Sequence, residues 1–143
     1  MISFFVPGIP ATAGSKTPFV NKKTGKVSMV PANKKQKPWM AIVRSYAQDA
    51  YAGPLFRGAI QLECKFYLPR PKGHYGTGKN ADRLKPSAPA YPVGKPDCTK
   101  LLRAAEDALK GVIWHDDAQV VKQVNSKNYG DQPGVEILIS GMD

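Results

Sequence analysis

Residues 97–117 hold Asp97, Glu106, Asp107, Asp116 and Asp117, with Lys100, Arg103 and Lys110 among them. Carboxylates that converge beside a cation suit Mg²⁺-dependent phosphodiester chemistry. Mg²⁺ takes oxygen ligands, keeps several waters, and binds through one or two carboxylates plus phosphate oxygens. It can activate water and stabilise an in-line displacement, while a nearby Arg or Lys offsets charge growing on the phosphate. The same spacing also fits a solvated helix face followed by an acidic turn.

Whether the acids meet depends on the elements that carry them. Pro96 marks a loop boundary, and Asp97 or Thr99 can cap a helix start. Leu101, Leu102, Ala105, Ala108 and Leu109 fall on one helical face and should pack on a core. Thr99, Arg103, Glu106 and Lys110 share the opposite face, and Gly111 ends the helix. Asp116 and Asp117 then stand just before an apolar run that reads as a strand. If that strand returns beside the helix start, the carboxylates converge.

Lys95-Pro96-Asp97, the helix Leu101 to Leu109 with Asp107-Ala108-Leu109, and Asp116-Asp117-Ala118-Gln119-Val120 resemble the signature of the RusA family of Holliday junction resolvases. The likeness is specific from Lys95 to Val121 and weaker, though colinear, over the rest. It implies a small, mostly phage-derived type of Mg²⁺-dependent endonuclease that works as a homodimer on branched DNA, the four-way junction. Mn²⁺ is the alternative ion, and no small-molecule cofactor is implied. By this resemblance Asp97 and Asp117 are the metal ligands, and Arg103 is the assisting basic residue, where the family often has Lys. Thr99 stands where the family has a second Asp. Glu106, two turns on along the same face, could reach back in its place, and Asp116 is a further candidate ligand. Lys16, Lys22, Lys23, Lys95, Lys100 and Lys127 are the residues expected at DNA.

Bulk properties agree with a polyanionic partner. Twenty-one Lys and Arg against eleven Asp and Glu give a net charge of +10 over 143 residues, which suits nucleic acid. A merely basic protein has the same balance. Six of the eleven acids are Asp97, Glu106, Asp107, Asp116, Asp117 and Asp131. Acids gathered in one part of a basic chain suggest a metal site within a phosphate-binding surface. The length fits one domain with one modest core. No apolar run approaches the ~20 residues of a membrane span, and the first six residues are too short for a signal peptide. A cytoplasmic location with no membrane partner is therefore expected. Cys64 and Cys98 have no metal-like spacing and should be reduced thiols.

Elsewhere, Met1 to Val6 reads as a strand, and Gly14-Ser15-Lys16 as a basic loop. Asn21-Lys22-Lys23-Thr24-Gly25 reads as the turn of a hairpin with a basic tip. Trp39, Ile42, Val43, Tyr46, Ala47 and Ala50 follow helical spacing. Ala59 to Leu68 alternates as a long strand with Cys64 on its core face. Residues 69–96 are rich in Pro and Gly, carry one acid, and lack apolar periodicity, so they read as a mobile basic flap. His74 and His115 are poor ligand candidates for want of partners. Ala118 to Asn125 reads as a strand, 128–134 as a turn, and Val135 to Ile139 as a final strand. The expected fold is a single α/β (α+β) domain over 1–143, with a mixed sheet of about four or five strands and two helices. Two other functions fit the same residues: a flap- or fork-specific metal nuclease, and a junction-binding protein with an impaired metal site.

Overall fold

In the computed structural model the described residues are 1–13, 16–31 and 34–142, with 16–20 and 27–31 described by backbone alone. The elements are β1 (Ile2–Pro7), β2 (Lys16–Val20), β3 (Val27–Pro31), α1 (Gln36–Ala50), β4 (Ala59–Leu68), α2 (Cys98–Leu109), β5 (Val120–Tyr129) and β6 (Gly134–Met142). Their order is the one expected from sequence. Four strands form one mixed sheet in the order β1-β6-β4-β5, and β2-β3 make a separate two-stranded hairpin. Strand β4 pairs antiparallel with β6 and parallel with β5. A parallel pair needs a crossover, and α2 supplies it.

The alternation of β4 becomes burial directly. Ile60, Leu62, Cys64, Phe66 and Leu68 are buried, and the residues between them are half-buried. Val6, Val135, Ile137 and Ile139 join them from β1 and β6. On α2 the expected face is buried in full, with Ala104 added. Burial pushes the Cys64 thiol far above its usual range, in keeping with a packing role; both cysteines are free thiols. No described helix is long and apolar enough to cross a membrane.

Two expectations change. Helix α1 buries only Trp39, Val43 and Ala47, while Ile42 and Tyr46 stay about two-fifths exposed, at 40% and 41%. The helix packs through one narrow i, i+4, i+8 stripe. Strand β5 also starts later and runs further than its apolar residues indicate, ending at Tyr129. At its α1 end, α2 is tied down by Arg44, whose Nε donates to the Ala108 carbonyl at 3.1 Å. That bond occupies one of the last carbonyls of α2, which have no partner within the helix.

Candidate active site

The chain enters α2 through Asp97, which takes the N-cap position with extended backbone but no side-chain cap bond. Its exposed carboxylate lies 3.7 Å from Lys100 Nζ. Three residues of β5 hold the neighbouring chain. Lys127 Nζ donates to the carbonyls of Gly94 at 2.6 Å and Pro96 at 3.0 Å. Asn125 Nδ2 donates to the Cys98 carbonyl at 2.9 Å. Gln123 Nε2 donates to Glu106 Oε1 at 2.9 Å. These residues alternate along β5, so they share the face turned to α2. The direction of the contacts matters. Moving up the strand from Gln123 to Lys127 moves down the helix from Glu106 to Pro96, so β5 starts beside the far end of α2 and ends beside its entrance. A helix crossing back between parallel strands must run this way.

Gly111, with φ of 81°, turns the chain out of α2. The ladder then leads to the acidic turn at its start. A short 3₁₀ turn spans Asp117–Gln119 with Asp116 as its N-cap. Asp116 Oδ1 accepts from the Ala118 amide at 3.0 Å, so its side chain is engaged in forming the turn. Asp117 Oδ1 accepts from the indole Nε1 of Trp114 at 2.8 Å, and Trp114 is fully buried. Glu106, half-buried, lies within electrostatic reach of Asp117. Burial raises its carboxyl above the usual range, and the charges of Asp117 and then Asp107 raise it further against the lowering effect of the Gln123 bond.

Glu106 therefore stands beside the first half of β5 through Gln123, whereas Asp97 belongs to the other end of α2. Asp97 and Glu106 are nine positions apart, about 13 Å along the axis at the helical rise of ~1.5 Å per residue. Thr99 and Arg103 are exposed on the same helix. Among the described residues no group of three or more His, Cys, Asp or Glu is placed to hold a metal. The donor chemistry nonetheless fits Mg²⁺ in its usual manner. Asp117 and Glu106 offer only oxygen, two carboxylates suffice when water and phosphate complete the shell, and their mutual repulsion is the kind a cation relieves.

Of the expected DNA residues, Lys22 and Lys23 are exposed at the hairpin tip, which Gly25 closes with φ of 71°. Lys95 is exposed, Lys100 is half-buried beside Asp97, and Lys127 is engaged by carbonyls. The Lys16 side chain and residues 14 and 15 lie outside the described residues. Segment 69–96 is folded on itself: Tyr75 bridges Leu84, and two 3₁₀ turns span Lys72–His74 and Gly78–Asn80. Arg70 stacks 4.3 Å from the Tyr129 ring centre and donates to the Pro89 carbonyl at 2.7 Å.

Sequence reasoning assigned no role to Trp114, Gln119 or Gln123. One signal was present: Asp116-x-x-Gln119 has the spacing of a capping box.

Comparison with known proteins gives the family. A family model described as Endodeoxyribonuclease RusA matches residues 8–140. "Uncharacterized protein YqaN" of Bacillus subtilis (strain 168) is 32% identical over 140 residues, covering 96% of this chain and 94% of that protein. With the match spanning both helices, β4, β5 and the acidic turn, the chain belongs to the RusA endodeoxyribonuclease family.

Proposed function

We propose that the protein is a Mg²⁺-dependent, homodimeric endodeoxyribonuclease that resolves four-way DNA junctions by paired nicks in recombination and repair, acting in the cytoplasm. Mn²⁺ is the alternative ion. The observation that carries the reading is the Asp117 carboxylate held by the buried Trp114 indole at the foot of β5, in a RusA-family chain of net charge +10. Asp117 and Glu106 would hold the ion, and Asp97 would serve from the helix entrance. When bound, the ion supplies Lewis-acid polarisation of the scissile phosphate and activation of water. The chain's own residues do the rest. Trp114 orients the Asp117 carboxylate. Arg103, one turn before Glu106, offers a fixed positive charge to the phosphate. Lys22, Lys23 and Lys95 bring the duplex arms in, and 69–96 acts as a basic flap over them. Two sites related by a two-fold axis match a junction that must be nicked twice.

Cleavage of junction, flap and linear duplex in parallel, with Mg²⁺ and with EDTA, tests this. Junction nicking that needs the metal is expected. Preferred cutting of flaps would make it a flap nuclease. Junction binding without nicking would favour a binding protein, a reading that Thr99 and the lack of a three-carboxylate group among the described residues keep alive.

Junction affinity should fall steeply with salt, because each phosphate contact releases counterions and adds about −0.9 to the logarithmic slope. Charge reversal at Lys22 and Lys23 together should flatten that slope by about two contacts and leave the rate at saturating DNA nearly unchanged. A shallow wild-type slope would argue against a broad DNA footprint.

Glu106→Gln gives a test on stability as well as activity. A carboxyl whose pKa is raised by folding stabilises the fold at low pH, and that contribution is lost as pH rises through the folded value. In EDTA the variant should therefore melt above wild type at pH 7–8 and lose this advantage near pH 4. In Mg²⁺ it should lose cleavage. Wild-type cleavage by Glu106→Gln at the wild-type Mg²⁺ optimum would remove Glu106 from the site.

A further inference from the structure

We infer that Gln119 is the positioning residue for Asp117: one side-chain amide that locks the acidic turn to the entrance of β4. Its Oε1 accepts from the amides of His115 at 2.9 Å and Asp116 at 2.8 Å. Its Nε2 donates to the carbonyls of Phe56 at 2.7 Å and Gly58 at 2.9 Å. A Gln amide has two donors and one carbonyl oxygen with two lone pairs, so Gln119 uses its full capacity. The two halves of the amide hold different pieces of chain. The acceptor half grips the turn between Trp114 and Asp117. The donor half grips 56–58, about sixty residues earlier (|i−j| of 63 and 61).

The same segment is tied to the turn a second time. Phe56 bridges Trp114, and the Phe56 amide donates to the Ile113 carbonyl at 2.8 Å. Trp114 is thereby fixed on one side of Asp117 and Gln119 on the other. The indole bond holds the carboxylate itself, and the Gln119 clamp holds the backbone just before it. A displacement of about 1 Å in a reacting group can cost 10²-fold in rate. An outer-shell partner of a ligand costs about 10–100-fold when removed. Apolar packing could hold the turn only loosely here, because His115, Asp116 and Ala118 are exposed. Directional hydrogen bonds provide the placement that packing does not.

The functional half of this inference rests on the nuclease reading above, so the test has an arm that does not. The chain has two tryptophans, and the indole N–H of Trp114 reports on Asp117 directly in a ¹H–¹⁵N spectrum of the full-length protein. Gln119→Met should move the Trp114 indole resonance and speed its hydrogen exchange, while the Trp39 signal stays in place. It should lower the single-turnover junction-cleavage rate about tenfold or more, raise the Mg²⁺ concentration for half-maximal rate, and leave junction affinity within about twofold. If the Met variant does not fold, Gln119→Glu keeps the acceptor half and loses the donor half, and should displace the indole signal by a smaller amount. An unmoved Trp114 signal overturns the inference, whatever the rate does. A moved signal in a chain whose wild type makes no Mg²⁺-dependent nick upholds the positioning of Asp117 and refutes the nuclease reading instead.

Discussion

Asp117→Asn is expected to lower Mg²⁺-dependent nicking about 100-fold or more and to leave the junction bound as tightly as before, or more tightly. The change is small in shape. An Asn amide oxygen still accepts from Trp114 Nε1, which lies 2.8 Å from the native carboxylate, so the turn keeps its form. What goes is the charge. Without it the site holds a divalent ion poorly, and charge building on the phosphate loses its stabilisation, an effect worth about 10²–10³ for one such group. Removing a negative charge from a surface that faces phosphate also favours DNA. Single-turnover cleavage and a binding titration in EDTA separate the two effects, and a wild-type rate would remove Asp117 from the chemistry. Asp97→Asn is expected to show the same signature. Because Asp97 belongs to the opposite end of α2 from Glu106, an equal loss would mean that both ends of the helix serve one reaction.

Trp114 links the core to Asp117, and two substitutions separate its roles. Its side chain is fully buried, and its indole N–H reaches Asp117. Trp114→Ala deletes a large buried ring and should cost about 3–5 kcal/mol, a large part of the ~5–15 kcal/mol that holds a domain of this kind together. Trp114→Phe keeps an aromatic ring and removes the donor. It should stay folded with a smaller loss of stability, and should cleave about tenfold more slowly as the Asp117 carboxylate loses its partner. Chemical denaturation of both variants, with junction cleavage by the Phe variant, reads the two effects. Trp114→Phe cutting at the wild-type rate would show that the indole bond has no part in placing Asp117.

Much of the architecture was legible in one dimension, for reasons that particular residues make plain. The β4 alternation from Ile60 to Leu68 translated into alternating burial, because successive strand side chains must point to opposite faces. The α2 face from Leu101 to Leu109 was legible because an apolar stripe at helical spacing can only be satisfied by packing. Strand β5 was harder. Its face toward α2 carries Gln123, Asn125, Lys127 and Tyr129, which hold chain by hydrogen bonds and, at Tyr129, by ring stacking. Hydropathy does not register a polar ladder of this kind, so the strand read as ending early and Lys127 read as a DNA contact, where the structure has it bonded to the Gly94 and Pro96 carbonyls.

The sequence by itself determined which residues could do chemistry, the basic surface around them, the order of the elements, and the family through its Lys95-Pro96-Asp97 and Asp116-Asp117-x-Gln119 motifs. Only the tertiary structure decided which end of the helix each acid stands at. The parallel pairing of β4 and β5 makes α2 run back against β5, which sets Glu106 beside Gln123 and leaves Asp97 at the other end. Only the fold, too, brought Phe56 and Gly58 beneath Gln119 and the Trp114 indole onto Asp117. Local pattern reports what each segment can bury. Contacts between residues sixty positions apart depend on how the buried faces stack, and no spacing within one segment encodes that.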